Sequence, residues 1–293
     1  MPTITANNID IAYDALGKPA DKPLLMVMGL GMQSVAWDLR FCQQLVDCGH
    51  YVIRFDNRDV GLSTHFPQLG VPDMMQIGAE LAAGGNPAVP YTLGDMAADA
   101  LGLLSALNIE QAHICGASLG GMISQVMAAA APQRILSLTS IMSSTGNPGL
   151  PPADPRAMAA LTMEQKDDAE FTVQRALEIA KIIGSPGFPM DEERIRERTL
   201  ESFERSFDPA GVARQLAAAL TQGDRRPQLR SLQLPCLVIH GRDDPLVPLA
   251  GGLDTHANVA GSELMVIDGM GHDLPQGVWP DIVKGISALT SRA

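Results

Sequence analysis

The sequence predicts an α/β protein with a mostly parallel sheet of about eight strands, flanked by helices. Short, continuous apolar runs alternate with longer segments in which apolar residues recur at helical spacing. Continuous runs such as Leu24–Met28 suit strands that are buried on both faces, as parallel strands are. The 293 residues, 46% of them hydrophobic, allow one large domain or two small ones with a sizeable core.

The predicted elements follow one another in a regular order until the middle of the chain. Asn7-Asn8 separates the first two strands, and asparagine tolerates the positive φ of a hairpin turn. Thr64–Pro90 is expected to be irregular, because prolines and a Gly-Gly pair interrupt it. The predicted strands are Thr3–Ala6, Ile9–Asp14, Leu24–Met28, Tyr51–Phe55, a run from Ala112, Ile135–Met142, Pro235–His240 and Glu263–Ile267. The predicted helices are Ala36–Cys48, Leu93–Leu107, Met122–Ala130, Phe171–Ile183, Asp191–Phe207, Pro209–Leu220 and about Gly277–Ser291.

The alternation of strands and helices stops after Ser143. Gly146–Arg156 carries four prolines and indicates a linker. From there to about Leu229, no segment predicts a strand and three segments predict helices. The sequence therefore predicts a helical insertion, after which sheet-type sequence returns.

Charge and composition limit the classes of partner. There are 21 Lys and Arg against 33 Asp and Glu, a net charge of -12, which disfavours nucleic acid and anionic membrane surfaces as partners. The four cysteines lack the spacing of a metal site or a disulfide framework. The N-terminus lacks the pattern of a signal peptide, and no apolar run has the length to span a bilayer. We therefore expect a cytoplasmic protein.

A serine lies where the fifth predicted strand meets a helix. The pattern Gly116-x-Ser118-x-Gly120 is the sequence form of a nucleophile elbow, a tight turn that exposes one strained side chain. Glycine suits the two flanking positions, because a Cβ there would collide with a neighbouring strand or helix. The helix that follows offers unpaired N–H groups to a developing negative charge. The alternative is an ordinary strand–turn–helix with a capping serine.

An acid and a histidine follow the ends of later strands. In an open α/β sheet, ligands bind beyond the C-terminal ends of the strands, so these loops are the informative places. Asp243 and Asp244 follow the seventh predicted strand, and His272 follows the eighth. Serine needs a base within reach, histidine is the natural base near neutral pH, and a carboxylate fixes its tautomer. We therefore predict a catalytic triad of Ser118, an aspartate and His272.

The acid of the triad has two adjacent candidates. Asp244 precedes Pro245, which holds it extended and out of the helical region, and we favour it over Asp243. The oxyanion hole needs two N–H donors that point at one place. We predict the backbone N–H groups of Leu119, the residue after the nucleophile, and of Leu30, in the turn after the third strand.

His272 is one of six histidines, and the others are expected to have structural or surface positions. His272 is preferred because glycines surround it in the last strand–helix joint. His65 and His256 are expected at the surface. His113 and His240 lie in or at the end of strands, where they would belong to the core or support the site.

Five motifs lie at the ends of the predicted strands, and together they resemble the α/β-hydrolase superfamily over nearly the whole chain. They are Met28–Gly31, Asp56–Ser63, Gly116–Gly120, Gly241–Pro248 and Gly271-His272. Within the superfamily, the details resemble the aclacinomycin methylesterase group of bacterial carboxylesterases. That likeness lies in Val27–Gly29, Val52–Ser63 and Gly269–Pro275. One departure is Met28, which stands where many members have histidine.

The resemblance implies an α/β-hydrolase fold with a helical cap domain. Residues 1–145 and 230–293 would form the core domain, and residues 146–229 would form the cap over the site. Arg58 is expected to tie loops together rather than to act in catalysis. Five apolar residues would either line a pocket or pack the cap on itself: Met158, Leu161, Met163, Ile182 and Phe188.

The motifs and the resemblance together predict a serine hydrolase that cleaves carboxylic esters through an acyl-enzyme. The expected substrate is a small to medium, partly apolar ester, as for a carboxylesterase or methyl esterase, and no cofactor or metal is expected. Lactonases, amidases, thioesterases, perhydrolases and carbon–carbon bond hydrolases can use the same triad, so these activities stay open. A non-catalytic small-molecule receptor is the alternative from another class.

Overall fold

The computed structural model describes residues 1–293 and contains one eight-stranded sheet. The strands run in the order β1-β2-β4-β3-β5-β6-β7-β8. The pairs β1–β2 and β2–β4 are antiparallel and all other pairs are parallel. The strands are β1 Thr3–Ala6, β2 Ile9–Leu16, β3 Lys22–Val27, β4 His50–Phe55, β5 Ala112–Ala117, β6 Ile135–Ile141, β7 Cys236–Gly241 and β8 Glu263–Ile267. The predicted fold class is confirmed.

Helices cover the sheet and fill the segment between β6 and β7. They are α1 Leu39–Asp47, α2 Met74–Ala82, α3 Leu93–Ala106, α4 Leu119–Ala130, α5 Pro155–Leu161, α6 Ala169–Ile183, α7 Glu192–Arg205, α8 Pro209–Thr221, α9 Arg226–Leu229, α10 Leu249–Asn258 and α11 Trp279–Thr290. None of these helices combines the length and the apolarity that crossing a membrane requires. The division into domains at residues 146 and 229 stays a prediction.

Alternate residues of β3 point to opposite faces of the sheet. Leu25 and Val27 belong to a buried cluster with α3 and α4, whereas Leu24 and Met26 belong to one with α1 and α11. The sheet is therefore covered on both faces, as its continuous apolar strands require. Between β1 and β2, Asn7 and Asn8 have φ values of 49° and 62°. The two strands pair in antiparallel fashion, so the predicted hairpin turn is confirmed.

The structure corrects the prediction that Thr64–Pro90 is irregular, because α2 lies within it. Asp73 caps this helix, and its side chain accepts hydrogen bonds from the N–H groups of Met75 and Gln76. The prolines and glycines around this segment favoured an irregular structure over a helix that begins after the capping Asp73. Helices α5 and α10 were also missed, and α4 begins at Leu119 rather than at Met122.

Helix α8 is fixed to the loop after β4 by a buried ion pair. Two guanidinium nitrogens of Arg214 donate to the two carboxylate oxygens of Asp59, at 2.8 and 2.7 Å. The Arg214 side chain is only 1% exposed and that of Asp59 is fully buried. A third nitrogen of Arg214 donates to the carbonyl oxygen of Gly70 at 2.8 Å. The pairing satisfies both charges, so the helix and the loop are held together.

We predict that Arg214→Met lowers the free energy of unfolding by about 3–5 kcal/mol, because it leaves the buried Asp59 charge unpaired. Urea denaturation measures this change. The matched control is Arg156→Met, since Arg156 forms an ion pair with Asp154 but its side chain is 84% exposed. The control should leave the midpoint unchanged. Equal shifts for the two variants would contradict the structural role given to Arg214.

Candidate active site

Ser118 lies at the tight turn between β5 and α4. Its φ of 55° and ψ of -119° place it outside the ordinary regions for a residue with a side chain. Its N–H donates to the carbonyl oxygen of Ile141 in β6, at 2.9 Å, which holds the turn to the sheet. A Cβ at Gly120 would overlap the carbonyl oxygen of Val27, and one at Gly116 would overlap that of Gly120. These two positions need glycine for the turn to close.

Ser118, His272 and Asp244 form one continuous chain of hydrogen bonds. The Oγ of Ser118 lies 2.9 Å from Nε2 of His272, and Nδ1 of His272 lies 2.7 Å from Oδ2 of Asp244. A carboxylate can only accept a hydrogen bond, so Nδ1 carries the proton and Nε2 is free to accept from the serine hydroxyl. Ser118 and His272 are partly exposed, whereas the Asp244 side chain is fully buried.

The two candidate acids have different partners. The second oxygen of Asp244 accepts from the N–H groups of Leu246 and Val247, both at 2.9 Å. Asp243 instead accepts from the N–H of Gly269, at 2.8 Å. His272 therefore contacts Asp244, whereas Asp243 contacts the loop after β8.

His240 supports the loop that carries Asp244. Its Nε2 lies 2.8 Å from the carbonyl oxygen of Val247 and 3.7 Å from Oδ2 of Asp244. Burial lowers the pKa of His240, so the neutral ring is favoured and Nε2–H donates to Val247. This position fits the expectation for His240. His65 and His256 are both partly exposed, and His65 contacts Asp208 at 2.7 Å.

The turn after β3 approaches the serine from the other side. A Cβ at Gly29 would lie 3.3 Å from the Cβ of Ser118. The N–H of Gly31 donates to Oε1 of Gln215 in α8, at 2.9 Å, and the amide nitrogen of Gln215 donates to the carbonyl oxygen of Arg58 at 2.7 Å. The N–H of Leu30 makes no hydrogen bond within the protein. The turn thus leaves the N–H of Leu30 free, at the position predicted for the oxyanion hole.

The sequence patterns did not predict a role for Gln215. It lies in an alanine-rich amphipathic helix, and nothing in the local pattern shows that its side chain reaches the turn after β3. Arg58 behaves as expected, because it donates to both oxygens of Asp99 at 2.6 and 2.8 Å and so ties the loop after β4 to α3.

The end of α6 packs against the loop that carries His272. The N–H of His272 donates to the carbonyl oxygen of Ile183 at 2.7 Å, and that of Gly271 donates to the hydroxyl of Ser185 at 2.9 Å. Among the apolar residues suggested for a pocket, Phe188 packs against a buried cluster, whereas Met158 is 41% exposed. These contacts place the segment between α6 and α7 beside the histidine.

One group of side chains has the composition of a metal site. Ligand atoms of Asp59, His65 and Asp208 lie within 4.8 Å of one another. The guanidinium of Arg214 contacts the carboxylates of both aspartates, at 2.7 and 3.4 Å. This group of acids therefore already has a cation as its partner.

Comparison with known proteins identifies the family of the chain. The α/β-hydrolase-fold family matches residues 22–275. Rhodomycin D methylesterase of Streptomyces peucetius is 30% identical over all of this chain and 99% of that protein. A 3-oxoadipate enol-lactonase of Acinetobacter baylyi is 28% identical over 91% of this chain and 88% of that protein.

Solved structures share the same fold. A meta-cleavage product hydrolase from Pseudomonas fluorescens superposes with a TM-score of 0.75 at 18% identity, over 100% of this chain and 98% of that one. An esterase from Rhodococcus superposes with a TM-score of 0.74 at 18% identity, over 98% of each chain. By its sequence and its eight-stranded sheet, this chain belongs to the α/β-hydrolase-fold family.

Proposed function

We propose that this protein is a serine hydrolase that cleaves carboxylic esters through an acyl-enzyme. The observation that carries the proposal is the unbroken chain of hydrogen bonds from Ser118 through His272 to Asp244, with lengths of 2.9 and 2.7 Å. A serine hydroxyl is a weak nucleophile by itself, and a base in hydrogen-bond contact activates it. The buried carboxylate orients the histidine and stabilises its protonated form.

The reaction begins when Ser118 Oγ attacks the ester carbonyl while His272 Nε2 takes the hydroxyl proton. The tetrahedral intermediate then collapses, and His272 gives this proton to the leaving alcohol. A water molecule replaces the alcohol and attacks the acyl-enzyme, with His272 again as the base. The collapse of the second intermediate returns the proton to Ser118 and releases the acid, so the enzyme is regenerated.

The negative charge of the tetrahedral oxygen needs hydrogen-bond donors that are already in place. We assign this role to the backbone N–H groups of Leu30 and Leu119. Leu119 is the first residue of α4, where N–H groups have no partner within the helix. Such donors act mainly on the transition state, because the charge develops only there.

The substrate class that we propose is a small-molecule ester, in particular a methyl ester. Support comes from the relatives named as rhodomycin D methylesterases, which match this chain along its full length. The proposed steps use side chains, backbone and water, and they call for no cofactor. A lactonase is the second candidate, because a 3-oxoadipate enol-lactonase matches most of the chain. Parallel assays on a methyl ester and an enol-lactone distinguish the two.

The first test of the proposal is Ser118→Ala. We predict a loss of at least ~10⁴-fold in kcat on short p-nitrophenyl esters, because the acyl-enzyme can no longer form. Steady-state kinetics on the purified variant measures this loss. Turnover near that of the unmodified protein would refute Ser118 as the nucleophile.

A second prediction separates the two neighbouring acids. Asp244→Asn should lower kcat by about 10³- to 10⁴-fold, since the amide no longer favours the tautomer that leaves Nε2 unprotonated. Asp243→Asn is the matched control, because it lies in the same loop but contacts Gly269. The same assay serves for both variants. A larger loss in the Asp243 variant would reverse the assignment of the acid.

A third prediction concerns the turn that carries Leu30. Gln215→Leu removes the acceptor of the Gly31 N–H, so the neighbouring Leu30 N–H loses its fixed direction. We expect kcat to fall by about 10- to 100-fold, less than the loss of a whole oxyanion donor can cost, with a smaller change in KM. Gln222→Leu, just beyond the same helix, is the control. An effect on KM alone would argue that Gln215 acts in substrate binding instead.

A further inference from the structure

The loop that carries the proposed base is hydrogen-bonded to one short segment of the helical insertion. This segment, residues 183–188, consists of the last residue of α6 and the turn after it, and we call it the connector. The N–H of His272 donates to the carbonyl oxygen of Ile183 at 2.7 Å. The N–H of Gly271 donates to the hydroxyl oxygen of Ser185 at 2.9 Å. The connector therefore holds the main chain at the base and at the residue before it.

The hydroxyl of Ser185 reaches both neighbours of the base. Its oxygen accepts from the N–H of Gly271, and its proton is donated to the carboxylate of Asp273. A hydroxyl can donate one hydrogen bond and accept others, so the two contacts are compatible. One side chain of the connector thus fixes the residue before His272 and the residue after it.

The main chain around the base has no other polar support. Strand β8 ends at Ile267, so residues 271–273 lie beyond the ladder of the sheet. Their backbone groups make no further hydrogen bond within the protein. If the contacts with the connector are lost, this stretch is free to shift, and the imidazole of His272 moves relative to the hydroxyl of Ser118. The direction of the imidazole therefore depends on the connector.

Glycines allow the connector to lie directly on the loop of the base. A Cβ at Gly271 would overlap the carbonyl oxygen of Gly184, and one at Gly187 would lie 2.6 Å from the Cα of Gly269. The N–H of Gly187 also donates to the carbonyl oxygen of Gly269, at 2.9 Å. The two main chains are in contact with no side chain between them, so a displacement of one displaces the other.

We propose that Ser185 is a positioning residue for the proposed base, and that it acts by holding the main chain on both sides of His272. This inference rests on the proposed function, because it concerns the alignment of Nε2 with the hydroxyl of Ser118. Proton transfer depends on this alignment, and a misplacement of about 1 Å can cost about 100-fold in rate. Ser185 makes no hydrogen bond to Ser118 or to the imidazole. Its removal should therefore slow the reaction without weakening the binding of the substrate.

The test is Ser185→Ala, which removes the acceptor of the Gly271 N–H and the donor to Asp273. We expect kcat on p-nitrophenyl acetate to fall by about 10- to 100-fold, with KM changed by less than about threefold. Ser185→Thr keeps a hydroxyl and should retain most of the activity. Thr172→Ala is the matched control, because it removes a hydroxyl from the other end of α6 that contacts only backbone carbonyl oxygens. It should leave both constants unchanged.

A spectroscopic measurement distinguishes positioning from a general loss of stability. The Nδ1–H of His272 is hydrogen-bonded to Asp244 and gives a downfield proton resonance in NMR. This resonance should shift or broaden in Ser185→Ala and stay unchanged in Thr172→Ala. An unchanged kcat in Ser185→Ala, or a rise in KM alone, would overturn the proposal. A lower kcat with an unchanged resonance would also overturn it.

A second variant displaces the connector without changing Ser185. Gly187→Ala places a Cβ 2.6 Å from the Cα of Gly269, so the connector must move away from the loop of the base. We expect kcat to fall by about 10-fold or more with little change in KM. Full activity in this variant would contradict the dependence of the base on the connector. The variant also serves as the test if Ser185→Ala does not fold.

The same assay keeps this inference separate from the proposed function. If Ser118→Ala is inactive and Ser185→Ala keeps its full kcat, Ser185 is rejected as a positioning residue while Ser118 remains the nucleophile. Full turnover by Ser118→Ala would instead reject the proposed function itself.

Discussion

The close packing of backbone at the turn between β5 and α4 is the constraint on which the rest of the site depends. Gly116 and Gly120 allow the helix to approach β3 and β5 so closely that a methyl group at either position would overlap a carbonyl oxygen. That approach forces Ser118 into a positive φ, which costs of order 1–3 kcal/mol and persists only because the surrounding sheet holds it. The same turn puts the serine hydroxyl within 2.9 Å of His272.

The helices between β6 and β7 make direct contacts with the elements that carry the site. Gln215 bridges the Gly31 N–H and the Arg58 carbonyl, and the adjacent Arg214 forms a buried pair with Asp59. Helix α6 meets the loop of His272 through the carbonyl of Ile183. The groups that we propose to stabilise the oxyanion and to transfer the proton are therefore each braced by this helical segment.

The sequence allowed the sheet and the three central side chains to be predicted, because their signals are local. Glycines flank Ser118, Pro245 follows Asp244, and a glycine precedes His272 at the end of the last strand. Helix α2 was missed because surrounding prolines outweighed its capping aspartate. Gln215 was missed for another reason. Its role comes from how α8 packs against the loops after β3 and β4, which no spacing along the chain reveals.

The proposed mechanism requires that Ser118 is a nucleophile activated by His272, and covalent labelling tests this requirement. A fluorophosphonate reacts with an activated serine and leaves a stable adduct that mass spectrometry of the digested protein can locate. We expect a single adduct on the peptide that contains Ser118, and a much slower reaction in His272→Ala. A protein that stays unlabelled, or one that is labelled at another residue, would show that Ser118 is not an activated nucleophile and would favour a receptor over an enzyme.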